Sequence, residues 1–191
     1  MVTQITVDCE GDWGGRADSL QGITEGLPII LDCLKEKGLK GIFFLSTGSL
    51  DRWFDVAKGI QSAGHTIGSH GHEHRRFGRW LEWRLDYLKS MQILEKELGL
   101  RRGQIPYRAP KFSYVHPEHP YSNPKGHTSL LKHLWVGQPL QEILYLHPFD
   151  LVKPVSRAPN LFCKVWYSRP MEARERFKEI VREMATSGSS T

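Results

Sequence analysis

Short apolar runs alternate with amphipathic stretches along this chain, and that alternation restricts its fold more than any other feature. Residues 2–7 alternate and are rich in β-branched side chains, so they read as a buried strand ending at Asp8. A helix is expected over 24–37, with Thr24 as its cap, Pro28 in its first turn and Gly38 at its end. The short apolar run Gly41-Ile42-Phe43-Phe44-Leu45 fits a parallel strand covered on both faces. A second helix is expected over 50–63, and Thr66-Ile67-Gly68 reads as a short strand that delivers His70. Tyr87, Met91, Leu94 and Leu98 form one stripe of a helix over 81–98, stopped by Gly99. Residues 104–108 read as a strand end, and the Pro- and His-rich stretch 115–127 as a surface loop. Residues 141–146 read as a strand running into His147. A last helix is expected over 170–184, with Ala173, Phe177, Ile180, Val181 and Met184 aligned. The pattern predicts an α/β fold with a parallel sheet.

The 191 residues contain no internal repeat and no visible linker, so one catalytic domain over 1–184 is expected, with a Ser/Gly-rich flexible tail over 185–191. The absence of any long apolar run argues against a membrane span. No basic leader precedes the first strand, which gives an expectation of a cytoplasmic protein. Cys9, Cys33 and Cys163 are odd in number and widely spaced, and they read as buried small apolar groups rather than a disulfide framework or a thiolate zinc site. The net charge is +5, and much of the basic excess falls in Arg75-Arg76-Phe77-Gly78-Arg79-Trp80-Leu81-Glu82-Trp83-Arg84. No nucleic-acid motif accompanies it, so it reads as a solvated rim that attracts a polar or acidic substrate. Nucleic acid is not an expected partner, and the sequence does not fix an oligomeric state.

The chemistry concentrates in Ser69-His70-Gly71-His72-Glu73-His74. His70 and His74 are four residues apart, so one turn of helix-like backbone would put both imidazoles on one face. An acidic run near the start, Asp8-Cys9-Glu10-Gly11-Asp12-Trp13, offers a carboxylate to complete the site. Two histidines and one acid form the ligand set of a hydrolytic zinc centre with room for water. Glu10 and Asp12 both stand as candidates for the acidic ligand. His72 lies between the outer pair and reads as a supporting or solvent-facing group. His116, His119, His127 and His133 fall outside any matched pattern and read as polar loop. Asp8, His70, Arg108 and His147 each follow a predicted strand, where a parallel barrel gathers its catalytic loops.

Four stretches in order resemble the motifs of the NodB-like polysaccharide deacetylases, carbohydrate esterase family four. These are Val7-Asp8-Cys9-Glu10, Ala63 to His74, Tyr107-Arg108-Ala109-Pro110-Lys111-Phe112-Ser113, and Leu146-His147-Pro148-Phe149-Asp150. The resemblance covers residues 2 to about 150. It implies a distorted, incomplete (β/α) barrel and a metal-dependent N-deacetylase acting on an N-acetylated sugar or polysaccharide. By the resemblance, Asp8 is the general base, Arg108 pairs with and orients it, and His147 is the general acid. His70 and His74 bind the metal with Glu10, or with Asp12 in its place. Zinc is the expected ion, with cobalt a substitute. Pro110, Lys111 and Trp13 are the expected substrate contacts.

The sequence departs from the family pattern at three places. Cys9, not a second aspartate, follows Asp8; the family's fourth motif, which supports the late histidine, is not recognisable; and the interval from Ser113 to His147 is short. The alternatives carried by the same residues are a hydrolase of a non-sugar linear or cyclic amide on this fold, and a non-catalytic carbohydrate-binding protein.

Overall fold

The computed structural model describes residues 1–15, 19–74, 79–110, 126–153 and 160–188. Its five strands are β1 (Gln4–Cys9), β2 (Ile42–Leu45), β3 (Thr66–Ser69), β4 (His127–Ser129) and β5 (Ile143–Leu146). They form a sheet in the order β3-β2-β1-β5-β4, and the β1–β5, β2–β3 and β4–β5 pairings are parallel. This is the α/β class with a parallel sheet that the alternating pattern predicts. The chain divides into two compact units, and β1 contributes to both: residues 4–7 to the first and Asp8 and Cys9 to the second.

The first unit holds residues 1–7, 11–41 and 126–191. Its helices are α1 (Asp12–Gly15), α2 (Leu27–Glu36), α5 (Leu130–Val136), α6 (Leu161–Trp166) and α7 (Pro170–Gly188). Ile5 and Val7 of β1 and Leu144 and Leu146 of β5 are fully buried. So are Leu27, Ile30 and Leu34 of α2 and Ala173, Phe177 and Ile180 of α7, each on a face of helical period. Each of these side chains larger than alanine contributes about 1.5–3 kcal/mol on withdrawal from water, before conformational entropy is counted.

The second unit holds residues 8–10 and 42–125. Its helices are α3 (Phe54–Ser62), entered through a 3-10 turn over Thr47–Trp53, and α4 (Trp80–Leu98). All four residues of β2 are buried, as expected for a strand covered on both faces. Met91, Leu94 and Leu98 turn the predicted stripe of α4 inward, and Tyr87 is half-buried. Gly99 then takes a left-handed φ of 65° that ends the helix. Among the described residues no helix is long and apolar enough to cross a membrane.

Several local expectations are corrected. The helical path of the first unit begins with a π-type turn at Gly22–Gly26, so Thr24 lies inside it and its hydroxyl bonds back to the Leu20 carbonyl rather than capping. Residues 104–108 do not form a strand. Pro106 lacks an N–H for a ladder, and a single parallel bridge joins Tyr107 to Ser69. His127, read as loop, opens β4. Beyond it Thr128 and Ser129 are buried, and Thr128 bonds the Pro139 carbonyl at 2.9 Å. Helix α7 continues past residue 184 to Gly188, where the Thr186 and Ser187 hydroxyls donate to the Glu183 carbonyl. Two short helices, α5 and α6, were not foreseen. Asn160 caps α6 by accepting from the Cys163 N–H at 2.8 Å.

Candidate active site

The second unit brings together five of the residues singled out in the sequence: Asp8, Glu10, His70, His74 and Arg108. Asp8 and Glu10 leave the end of β1, His70 follows β3, and Arg108 follows the bridge that Tyr107 makes beside β3. Parallel register is what places these chain ends side by side. Asp8, Glu10, His70 and Arg108 are 2–5 % exposed, so their charges sit in a largely water-excluded environment where partners are obligatory.

The His70 and His74 rings lie 4.8 Å apart between centroids, with their Nε2 atoms separated by 3.2 Å. They meet, but not through a helical turn. Gly71 has φ 80° and His74 φ 47°, both left-handed, and residues 71–74 carry no helix. His70 Nδ1 is 2.8 Å from the Arg108 carbonyl oxygen. A carbonyl can only accept, so Nδ1 carries the proton and Nε2 of the neutral ring keeps its lone pair. Glu10 Oε2 contacts His74 Nε2 directly and lies 3.4 Å from His70 Nε2.

One ligand atom from each of Glu10, His70 and His74 lies within 4.8 Å of the others. Ligands about 2.1 Å from a tetrahedral divalent ion stand about 3.4 Å apart; the His70–His74 and His70–Glu10 separations of 3.2 and 3.4 Å have that spacing, while Glu10 and His74 stand closer. Two neutral imidazoles and one carboxylate are also the donor chemistry that a borderline cation such as zinc takes.

Asp8 completes the cluster without being one of the three. Its Oδ1 accepts from Arg108 Nη1 at 2.6 Å, and its Oδ2 lies 4.0 Å from His70 Nε2. The guanidinium carbon of Arg108 also sits 4.4 Å from the centre of the Phe44 ring. Cys9, between the two acids, is fully buried. Burial first, then the Asp8 and Glu10 charges, raise its thiol pKa well above the ordinary value. It is a neutral packing group, as read from its spacing.

The loop between the histidines is tied down on both sides. Its carbonyls at Gly71 and His72 accept from the Thr47 and Gly48 N–H groups at 3.0 and 2.9 Å. The Gly71 N–H donates to Ser69 Oγ, which pairs with Ser90 Oγ at 2.7 Å. The N–H groups of His72 and Glu73 both donate to the Asp86 carboxylate, at 2.9 and 2.8 Å. Asp86 and Ser90 were missed in the sequence. Their signal is present: with Trp83 and Leu94 they fall at helical spacing on the buried face of α4, where an acid needs a reason.

The remaining candidates fall elsewhere. Asp12 lies in the first unit, where its carboxylate accepts from Ser19 Oγ and from the Gln21 and Gly22 N–H groups. Glu10, not Asp12, is therefore the acid grouped with the histidines. His72 is half-buried, and its Nδ1 is 3.1 Å from Thr47 Oγ1, outside the cluster. Burial lowers its pKa, and Lys89 adds to that. Trp13 is 7 % exposed, with its ring edge-on to Tyr167 at 5.1 Å.

His147 directly follows β5 in the first unit and exchanges bonds with Asp150, whose Oδ2 accepts the His147 N–H at 2.8 Å. Its ring stacks on Phe149 at 4.8 Å. Pro110 is buried in the second unit. Lys111, His116, His119 and residues 75–78 of the basic run lie outside the described residues.

Residues 17–116, just over half of the chain, match the family model described as polysaccharide deacetylase. The chain belongs to the polysaccharide deacetylase family. The matched stretch holds His70, His74 and Arg108, whereas Asp8 and Glu10 precede it and His147 follows it. A peptidoglycan-N-acetylglucosamine deacetylase of Bacillus cereus is 32 % identical over 90 residues, which are 46 % of this chain and 30 % of that protein. This family member thus spans less than a third of that curated relative.

A family 4 carbohydrate esterase from Bacillus anthracis shares the fold with a TM-score of 0.60 at 19 % identity. The likeness covers 97 % of this chain and 76 % of that one. A carbohydrate esterase family 4 pseudoenzyme, also from Bacillus anthracis, shares it with a TM-score of 0.53 at 15 % identity, over 92 % and 62 % of the two chains. At such identities the likeness is one of fold, and whether this member turns over a substrate rests on its own residues.

Proposed function

We propose that this chain is a divalent-cation-dependent hydrolase that removes the acetyl group from the nitrogen of an N-acetylated glycan. The observation that carries the reading is the joining of Glu10, His70 and His74 around one point, with the Asp8–Arg108 pair beside them. The similarity to a peptidoglycan-N-acetylglucosamine deacetylase of Bacillus cereus supports the choice of an N-acetylglucosamine-containing substrate.

Glu10, His70 and His74 would hold the cation. When bound, it supplies Lewis acidity that brings the pKa of water toward about 7 and polarises an acyl oxygen. Asp8 is the base: its Oδ2 faces the cluster, while Arg108 holds Oδ1 and favours the ionised carboxylate that base catalysis needs. Arg108 is always charged and its planar fork resists rotation, so it aims the acid as well as ionising it. By the family resemblance His147 would be the acid that protonates the leaving nitrogen, a role suited to an imidazole.

An acetate-release assay tests the proposal, with N-acetylglucosamine oligomers and peptidoglycan fragments as substrates. Release is expected with zinc or cobalt, lost on chelation, restored by returning the ion, and lost in Asp8→Asn. Acetate release that survives both chelation and Asp8→Asn would refute the mechanism. Glycan and stoichiometric zinc bound without acetate release would make the chain a binding protein instead.

A further inference from the structure

We propose that Asp86 is a positioning residue, whose carboxylate sets the backbone between His70 and His74 so that both rings face Glu10. The inference rests on reading Glu10, His70 and His74 as a cation site. It adds to that reading the device that holds two ligands in register.

The need for such a device follows from the backbone. A helix would link positions 70 and 74 by its own hydrogen bond and keep their side chains on one face. Residues 71–74 are not helical here, and two of them hold left-handed φ values. The segment's polar groups must therefore find partners outside itself. Ser69 takes the Gly71 N–H, while Thr47 and Gly48 cover the Gly71 and His72 carbonyls. The two consecutive N–H groups of His72 and Glu73 both point to Asp86. The midpoint of the chain between the two ligands is thus pinned by one side chain of α4.

The chemistry of that side chain is specific. Asp86 is 6 % exposed, and a buried carboxylate is costly unless its bonds are made. Each oxygen accepts one N–H in a charge-assisted bond, stronger than its neutral counterpart. An apolar residue would suit the stripe of α4 better but would leave two donors without an acceptor. Asparagine has the same size, yet it offers one oxygen and turns an NH₂ group toward the second N–H. Gly71 makes the room: a Cβ there would lie 2.7 Å from Asp86 Oδ2.

Zinc affinity by calorimetry and the visible spectrum of the cobalt-loaded protein test the inference, each beside the melting temperature of the metal-free form. Leu94→Ala, a core truncation two turns along α4, serves as the stability control. Asp86→Asn is expected to weaken zinc binding by about 10–100-fold, the range typical of groups that orient ligands, and to alter the cobalt spectrum. Leu94→Ala is expected to lower the melting temperature and leave affinity within about twofold of wild type. Zinc affinity and cobalt spectrum unchanged in Asp86→Asn would overturn the inference, as would an equal loss of affinity in Leu94→Ala.

Amide hydrogen exchange on the metal-free wild type covers a variant that does not fold. The His72 and Glu73 amides are expected to exchange well below the rate of exposed amides, and free exchange would refute the role of Asp86. A wild type that binds no zinc but protects these amides would sink the cation reading, while leaving the hold of Asp86 on the loop standing.

Discussion

A side chain at Gly71 would run into the carboxylate of Asp86, because a Cβ built there lies 2.7 Å from Asp86 Oδ2. The glycine also holds a φ of 80°, a region that side chains with a Cβ avoid. Gly71→Ala is therefore expected to destabilise the protein by about 1–3 kcal/mol. It should also weaken zinc binding, since the displaced carboxylate holds the histidine loop. Thermal denaturation and zinc calorimetry on the same sample check both.

His70 depends on a main-chain acceptor for its orientation, with Nδ1 2.8 Å from the Arg108 carbonyl. Nitrogen NMR of the metal-free protein is expected to show the Nδ1-protonated tautomer for this ring. Loss of the ring in His70→Asn should lower zinc affinity more than about 100-fold, beyond what orienting groups contribute.

Arg108 and Asp8 form a buried pair at 2.6 Å, and removing one partner of such a pair costs about 3–5 kcal/mol. Arg108→Ala is expected to show a loss of that size in denaturant melts, with little acetate release. Arg108→Lys keeps the charge but not the fork or the stacking over Phe44. It should recover part of the stability and little of the activity.

Tyr107 carries a pH dependence of known sign. Burial raises its phenol pKa well above 10, while the bond from Trp83 Nε1 at 2.8 Å opposes that and Asp86 adds to it. The unfolded phenol titrates at about 10, so the stability Tyr107 provides is fully present below that pH. Above it the unfolded chain loses the proton first, and stability falls as pH rises toward the folded pKa. Alkaline melts followed by tyrosinate absorbance should show this slope in wild type and a shallower one in Tyr107→Phe.

The strands were legible because they are apolar and short. Ile42–Leu45 announces itself as a doubly covered strand, whereas the three residues of β4 are polar and too few to show a period. Glu10, His70 and His74 were readable as residue types at a spacing, but the path between the histidines was not. A left-handed φ at His74 leaves no trace in composition, and i, i+4 spacing alone suggests a helix. The choice between Glu10 and Asp12 needed the partners of each, and those of Asp12 lie seven to ten residues further along. Asp86 was overlooked because a charge inside a helix reads as solvent-facing until its neighbours are known.

Arg108 performs two duties with two different parts of itself: its guanidinium grips Asp8 and its carbonyl steadies His70. Any amino acid at position 108 still has a carbonyl. Replacing the side chain therefore removes the partner of Asp8 while sparing the ring's anchor, and under the proposed function such a variant is expected to keep its ion and lose turnover. Under the same proposal it would hold an N-acetylated glycan with the acetyl group still in place.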